Sequence, residues 1–302
     1  MTTNQITPTT SFEKLTWNWK GYKIQYTVMG KGCPLVLVHG FGASIGHWRK
    51  NIPVLAAGGY RVFAIDLLGF GGSDKPPLNY TMELWSELLQ DFWNAQIQEP
   101  AVFVGNSIGA LLSLMVMANP EVAAGGVLIS CAGGLSHRPH ELNPPLRIAM
   151  SAFNRLVRSK LTGQVIFNRV RQKPQIRRTL LQVYRHREAV TDELVDILYA
   201  PSCDPGAQHV FASILSADPG PSPAELLPKV KCSLLVIWGT EDPWTPISGA
   251  KLFQQASQNG KQIEIKPIPN AGHCPHDEVP DVVNSLILQW LSERLGARKD
   301  LG

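Results

Sequence analysis

"VFVGNSIGALLSLMVMA", residues 102–118, passes from a short apolar run through Gly-Asn-Ser-Ile-Gly into a second apolar stretch. A buried strand here hands over to a helix, with Ser107 set between Gly105 and Gly109. A connecting turn needs a flexible residue, but it does not need this pattern. What the rest of the chain supplies to that serine decides both the fold and the chemistry.

On either side of the turn, short β-branched-rich runs bounded by Gly or Pro recur at 34–40, 61–66, 101–106, 126–132, 233–239 and 263–269. They read as strands buried on both faces, as in a parallel sheet. Helical patterns alternate with them at 81–96, after Ser107, at 248–258 and from Val279 onward, where Pro280 suits a first helical turn. The alternation predicts a mostly parallel, doubly wound α/β sheet. An N-terminal pair, "FEKLTWNWK" and "YKIQYTVMG", predicts an antiparallel hairpin turning at Lys20-Gly21.

From Gly134 to Leu227 no sheet strand is evident. Helical periodicity replaces it, as in Leu146, Ala149, Met150, Phe153, Val157 and Leu161, and two Pro-rich stretches, "HRPHELNPP" and "ADPGPSPAELLP", bracket the region. The expected organisation is a core of residues 1–133 and 228–302 with an inserted helical cap at 134–227. Such insertions sit at the carboxyl ends of strands, where open α/β sheets bind ligands.

Composition bounds the class. The 302 residues are 44% hydrophobic and 17% charged, as in an ordinary globular protein. The stretch "MTTNQITPTTSFEKL" has no secretory pattern, and no run approaches the roughly 18 apolar residues of a membrane span. Five scattered cysteines without a C-x-x-C pair fit reduced thiols, neither a disulfide framework nor a zinc site. A cytoplasmic chain is expected.

G-x-S-x-G between a strand and a helix is the signature of a nucleophile elbow, although a strand-to-helix turn with Ser107 as N-cap would also fit the pentapeptide. A serine hydroxyl attacks only when a base takes its proton and a carboxylate holds that base. "VIWGTEDPWTP" places Glu241 and Asp242 just beyond one predicted strand, and "IPNAGHCPHDE" places His273 in a turn after the last. Serine, acid and histidine thus follow in order, 135 and 31 residues apart for Asp242, and the long first gap is what an insertion produces. "LVHGFGAS" adds a glycine-rich loop after an early strand. His276 and Asp277 read as a helix start; with no third ligand cluster, no metal site is expected. His39 reads as a residue that orients its own loop.

With the His-Gly loop, "DLLGFGGSDKP", "VGNSIG", "WGTEDPW" and "AGHCPHDEVP", the chain resembles the α/β-hydrolase family from about Trp17 to Leu295. "HWRKNIPVLA", "AIDLLGFGGSDKP" and "GHCPHDEVP" make it similar to a cyanobacterial and plastid branch related to pheophytinase and chlorophyll dephytylase, which release phytol from chlorophyll-type esters. The resemblance implies an acyl-enzyme mechanism without a cofactor. Ser107 is then the nucleophile, His273 the base, and Asp242, at an Asp-Pro junction, the acid in preference to Glu241. The Phe41 and Ile108 N–H groups form the oxyanion hole. Trp48, Asn106 and Trp244 are pocket candidates. Dehalogenases and epoxide hydrolases of this fold attack with an aspartate, which Ser107 replaces. Carbon–carbon bond hydrolases keep the serine, often after an asparagine such as Asn106. They usually carry a small residue after His-Gly and a tryptophan after the histidine, where this chain has Phe41 and Cys274. They are the second reading, and a ligand receptor with a hydrolase fold is a third.

Between Arg147 and Arg187 there are eleven Lys or Arg residues and no Asp or Glu, while the whole chain is only +4. Either this is a solvated helical face, or, joined to the apolar positions Phe153, Val157 and Leu161, it is a surface for peripheral contact with an anionic membrane. The expected partner is a small-molecule or lipid-like ester. No nucleic acid is expected, since no basic motif is interleaved with aromatics.

Overall fold

The computed structural model describes residues 12–135 and 144–295. Most of the first Pro-rich stretch, His137, His140 and most of the N-terminal fifteen residues lie outside them. Eight strands form one sheet in the order β1-β2-β4-β3-β5-β6-β7-β8. They are β1 (Leu15–Trp19), β2 (Tyr22–Met29), β3 (Pro34–Val38), β4 (Arg61–Ile65), β5 (Ala101–Asn106), β6 (Ala123–Ile129), β7 (Leu234–Gly239) and β8 (Ile263–Ile268). β1 and β2 form the expected hairpin, with Lys20 and Gly21 both at positive φ, as a tight two-residue turn demands. β2 joins β4 antiparallel, and β4, β3, β5, β6, β7 and β8 are mutually parallel.

Side-chain alternation explains the continuous apolar runs. Val36 and Val38 of β3, with Val236 and Trp238 of β7, face one core, whereas Leu35, Leu37, Leu235 and Ile237 face the other. Helices α2 (Met82–Gln96) and α3 (Ile108–Met117) cover the first face, and α1 (Ile52–Ala57) lies over the second. Thr81 caps α2 by accepting the Leu84 N–H. With both faces covered, each strand can be apolar throughout.

Between β6 and β7 come helices α4 (Pro144–Arg158), α5 (Lys160–Val170), α6 (Lys173–Val183), α7 (Asp192–Ser202), α8 (Ala207–Leu215) and α9 (Pro223–Leu226). The predicted single stripe through Phe153, Val157 and Leu161 is broken. Ser159 adopts extended backbone, so Leu161 belongs to α5, and Val157 is fully buried while Phe153 and Leu161 are exposed. The chain closes with α10 (Ala250–Gln258), α11 (Pro275–Glu278) and α12 (Pro280–Leu295), the last also against the second core. Among the described residues no helix is long and apolar enough to cross a membrane.

Candidate active site

Ser107 ends β5 and opens α3 with φ 57° and ψ −120°, a conformation that a non-glycine residue adopts only under constraint. The flanking glycines are required by contact. A Cβ on Gly105 would lie 2.2 Å from the Gly109 carbonyl oxygen, and one on Gly109 would lie 2.2 Å from that of Val38. Their absence lets strand and helix close tightly enough to push the serine outward. The Ser107 backbone is fixed on both sides, its N–H donating to Ile129 and its carbonyl accepting from Ala132.

Asp242 and His273 stand on the loops after β7 and β8. His273 Nδ1 lies 2.8 Å from Asp242 Oδ2, both residues are buried, and an ionised carboxylate only accepts, so Nδ1 carries the proton. That leaves Nε2 free to act as a base. Asp242 Oδ1 accepts the Trp244 and Thr245 N–H groups at 2.8 and 2.9 Å, and Oδ2 accepts the Thr245 hydroxyl at 2.5 Å. Burial opposes ionisation of this carboxyl, but the bonds from His273 and Thr245 outweigh it and hold its pKa below the ordinary value. Glu241 is turned away, in an ion pair with Arg185 at 2.6 Å. Of the two acids that position left open, Asp242 is therefore the one bonded to His273.

The His-Gly loop lies against the elbow, where a Cβ on Gly40 would be 3.4 Å from Ser107 Cβ. His39 holds that loop: Leu67 N–H donates to its Nε2 at 3.1 Å, so Nδ1 bears the proton and donates to the Gly40 carbonyl at 2.8 Å. Burial lowers its pKa, which keeps it in this neutral form. Asp66 anchors the same loop by accepting the Ile45 N–H at 2.7 Å. Phe41 and Ile108 border the cavity beside Ser107, and among the described turn and loop contacts neither main-chain N–H donates to another backbone group.

Ser107, His273, Phe41 and Trp244 open on one cavity of about 450 Å³. Its far wall is apolar and comes from α5 to α8, including Phe167, Val170, Leu180 and Phe211. One sequence assignment changes here, and another gains a second role. Trp48 does not line the cavity; it is fully buried in the second core, with its ring 4.3 Å from that of His276, while its neighbour His47 reaches the cavity. Asn106 does border the cavity, but its amide donates to the Ile129 and His273 carbonyls, so it clamps the histidine loop to the elbow.

Residues 35–286 match the family described as the alpha/beta hydrolase family. The chain belongs to that family. It is 30% identical over 301 residues to chloroplastic pheophytinase of Arabidopsis thaliana, covering 85% of this chain and 61% of that protein, so it spans about three fifths of that relative. The 2-hydroxy-6-oxo-6-(2'-aminophenyl)hexa-2,4-dienoic acid hydrolase of Metapseudomonas resinovorans is 27% identical, with 92% and 90% covered. The solved structure of a meta-cleavage product hydrolase from Pseudomonas fluorescens IP01 is 25% identical, covers 92% of this chain and 97% of its own, and has a TM-score of 0.73.

Several residues that support the site in this alpha/beta hydrolase carry no distinctive sequence signal. Thr245 was visible only as the last polar residue of Asp-Pro-Trp-Thr. Glu278 is buried and accepts the Gly272, Arg185 and His186 N–H groups, tying the histidine loop to the end of α6. His273 N–H itself donates to the Val183 carbonyl of α6 at 2.9 Å. Behind the site, His47 Nε2 lies 2.8 Å from the Tyr184 hydroxyl, which donates to Asp277 Oδ2 at 3.0 Å. Asp277 also pairs with Arg49 and Lys50 at 2.9 and 3.2 Å. Burial pushes His47 down to about 4 and lowers His276 as well, so both are neutral at neutral pH. No group of three or more metal-ligating side chains occurs among the described residues.

Proposed function

We propose that the chain is a serine hydrolase that cleaves a carboxylic ester through an acyl-enzyme, with residues 134–227 acting as a cap over the site. The observation that carries this reading is Ser107, held at positive φ on the wall of an apolar cavity that also contains His273 bonded to a buried Asp242. Ser107 Oγ attacks the ester carbonyl as His273 Nε2 takes its proton, and Asp242 stabilises the imidazolium. The Ile108 and Phe41 N–H groups bind the oxyanion, a contribution on the order of 3 kcal/mol for each donor. His273 then passes the proton to the departing alcohol. Water, deprotonated by the same histidine, releases the acid and restores Ser107.

The cavity walls favour an ester with a long apolar acyl or alcohol chain. The likeness to pheophytinase supports a phytyl ester of a chlorophyll-type pigment as the member of that class. A likeness of 27% identity to a dienoic acid hydrolase, spanning nine tenths of both chains, supports carbon–carbon hydrolysis as the second reading. Such a substrate carries a carboxylate. Of the cavity's cations, Lys75 is already bonded to Asp204 and to two carbonyls, whereas Arg171 gives Nε and Nη1 only to the neutral oxygens of Asn168 and Ser202 and keeps its charge for such a group.

Wild type and Ser107→Ala are compared on pheophytin, chlorophyll, a short-chain aryl ester and a 2-hydroxy-6-oxo-dienoate. Multiple turnovers on an ester, lowered on the order of 10⁶-fold in kcat in the variant, are expected. Turnover on the aryl ester alone removes the pigment. Turnover on the dienoate alone replaces ester cleavage with carbon–carbon cleavage, and at most one slow event per molecule on every substrate identifies a receptor.

A further inference from the structure

Of the ten large apolar side chains exposed among the described residues, five lie on α4 and α5 away from the cavity lining: Ile148, Phe153, Leu156, Leu161 and Val165. Exposure reaches 71% at Ile148, 82% at Leu161 and 70% at Val165, values that a helix packed only to finish its own core has no reason to show. Leu161, Val165 and Arg169 follow at four-residue spacing along one face of α5. The opposite side of the same helix carries Phe167 and Val170, which line the catalytic cavity. A single helix therefore separates an exposed apolar face from the site.

The charge around this face has one sign. Arg155, Arg158 and Arg169 are exposed and make no ion pair among the described residues. Further along, Lys173, Arg177 and Arg185 are paired with Asp196, Asp192 and Glu241, whereas Arg171, Arg178 and Arg187 make no ion pair among the described residues, so the unneutralised positive charge starts at the apolar face and continues past it. We propose that the outer face of α4 and α5 docks on an anionic lipid bilayer, with the apolar side chains entering the headgroup boundary and the arginines meeting lipid phosphates. A second copy of the chain is a poorer occupant, because a two-fold contact would set one arginine-rich face against another. The surface itself stands without the ester reading. Its consequence, that the substrate passes from the bilayer into the cavity past α5, rests on that reading.

The test is flotation of the purified full chain with phosphatidylcholine vesicles, with and without phosphatidylglycerol, at low and high salt. Binding to the anionic vesicles alone is expected, weakened more than about tenfold by high salt, since surface attraction is screened. The double variant Leu161→Asp/Val165→Asp should lose flotation while hydrolysing a soluble aryl ester as wild type does, which shows that it is folded. Ser107→Ala should float like wild type, so a failure of the ester reading leaves this result untouched. Absence of flotation on anionic vesicles, equal flotation of the double variant, or a wild-type dimer in solution that the double variant dissolves would each overturn the proposal.

Discussion

The loops after β7 and β8, which carry the candidate active site, and the helices α4 and α5, of which α5 lines its cavity, are built on opposite terms. In the loops, polar side chains are buried and bonded: Asp242 accepts from three groups of neighbouring residues besides His273, and Glu278 accepts from three backbone amides. On the outer faces of α4 and α5, apolar side chains stand in solvent. Buried bonding of this kind fixes geometry, because each group left without its partner would cost about 1–3 kcal/mol. Exposed apolar surface has the reverse character: it loses nothing when the protein is free in water and gains only when something covers it. Precision and availability are thus divided between the sheet loops and the inserted helices.

The largest effect that could break this division is at Asp242. If its role is to hold His273 in the right tautomer, Asp242→Asn should lower kcat by about 10⁴-fold with the fold intact, because the amide can donate to Nδ1 and so favour the wrong tautomer. Circular dichroism and kcat measured on the same preparation check both halves. A loss under tenfold would mean that the buried bonding is structural and that catalysis does not depend on it.

A second effect sharpens the comparison by acting only on the buried side. His47 is neutral in the fold, with its pKa pushed from 6.5 down to about 4. As pH falls below 6.5 the unfolded chain takes up a proton that the fold refuses, so stability declines with acidification until about pH 4, where folded His47 is protonated too. Over that window the loss is on the order of 3 kcal/mol from this group. Urea unfolding of wild type and His47→Gln at several pH values should show a shallower decline in the variant. Equal slopes would mean that His47 does not carry the acid sensitivity.

The same division explains what could be read from the sequence. The strands were legible because burial on both sheet faces makes each one a continuous apolar run, and the elbow because close packing at Gly105 and Gly109 forbids any Cβ. Thr245, Asp66 and Glu278 were not, because a polar residue in a loop looks the same in the sequence whether it faces water or accepts three amides. Trp48 shows the converse error. An aromatic beside a site loop suggested a pocket wall, but one residue decides the side, and it is His47 that faces the cavity. The stripe through Phe153, Val157 and Leu161 failed for a related reason: spacing reports a helix face only while the helix continues, and Ser159 ends that continuity.

The smallest effect lies within α4 itself, where the two regimes meet in adjacent residues. Val157 is fully buried, and its carbonyl sits against Gly163 of α5, where a Cβ would approach it to 2.0 Å. Leu156, one position earlier, is half exposed. Val157→Ala removes two buried carbons from a tightly packed helix junction and should cost about 2 kcal/mol. Leu156→Ala removes more carbon but from solvent, and it places the best helix former in a helix, so its effect should stay within about 0.5 kcal/mol. Thermal or urea unfolding of the two variants side by side measures the difference. If the larger deletion at Leu156 proved the more damaging, Leu156 would be covered in solution by something other than water. The outer face of α4 would then belong to a packed interior and would no longer be available to a lipid surface.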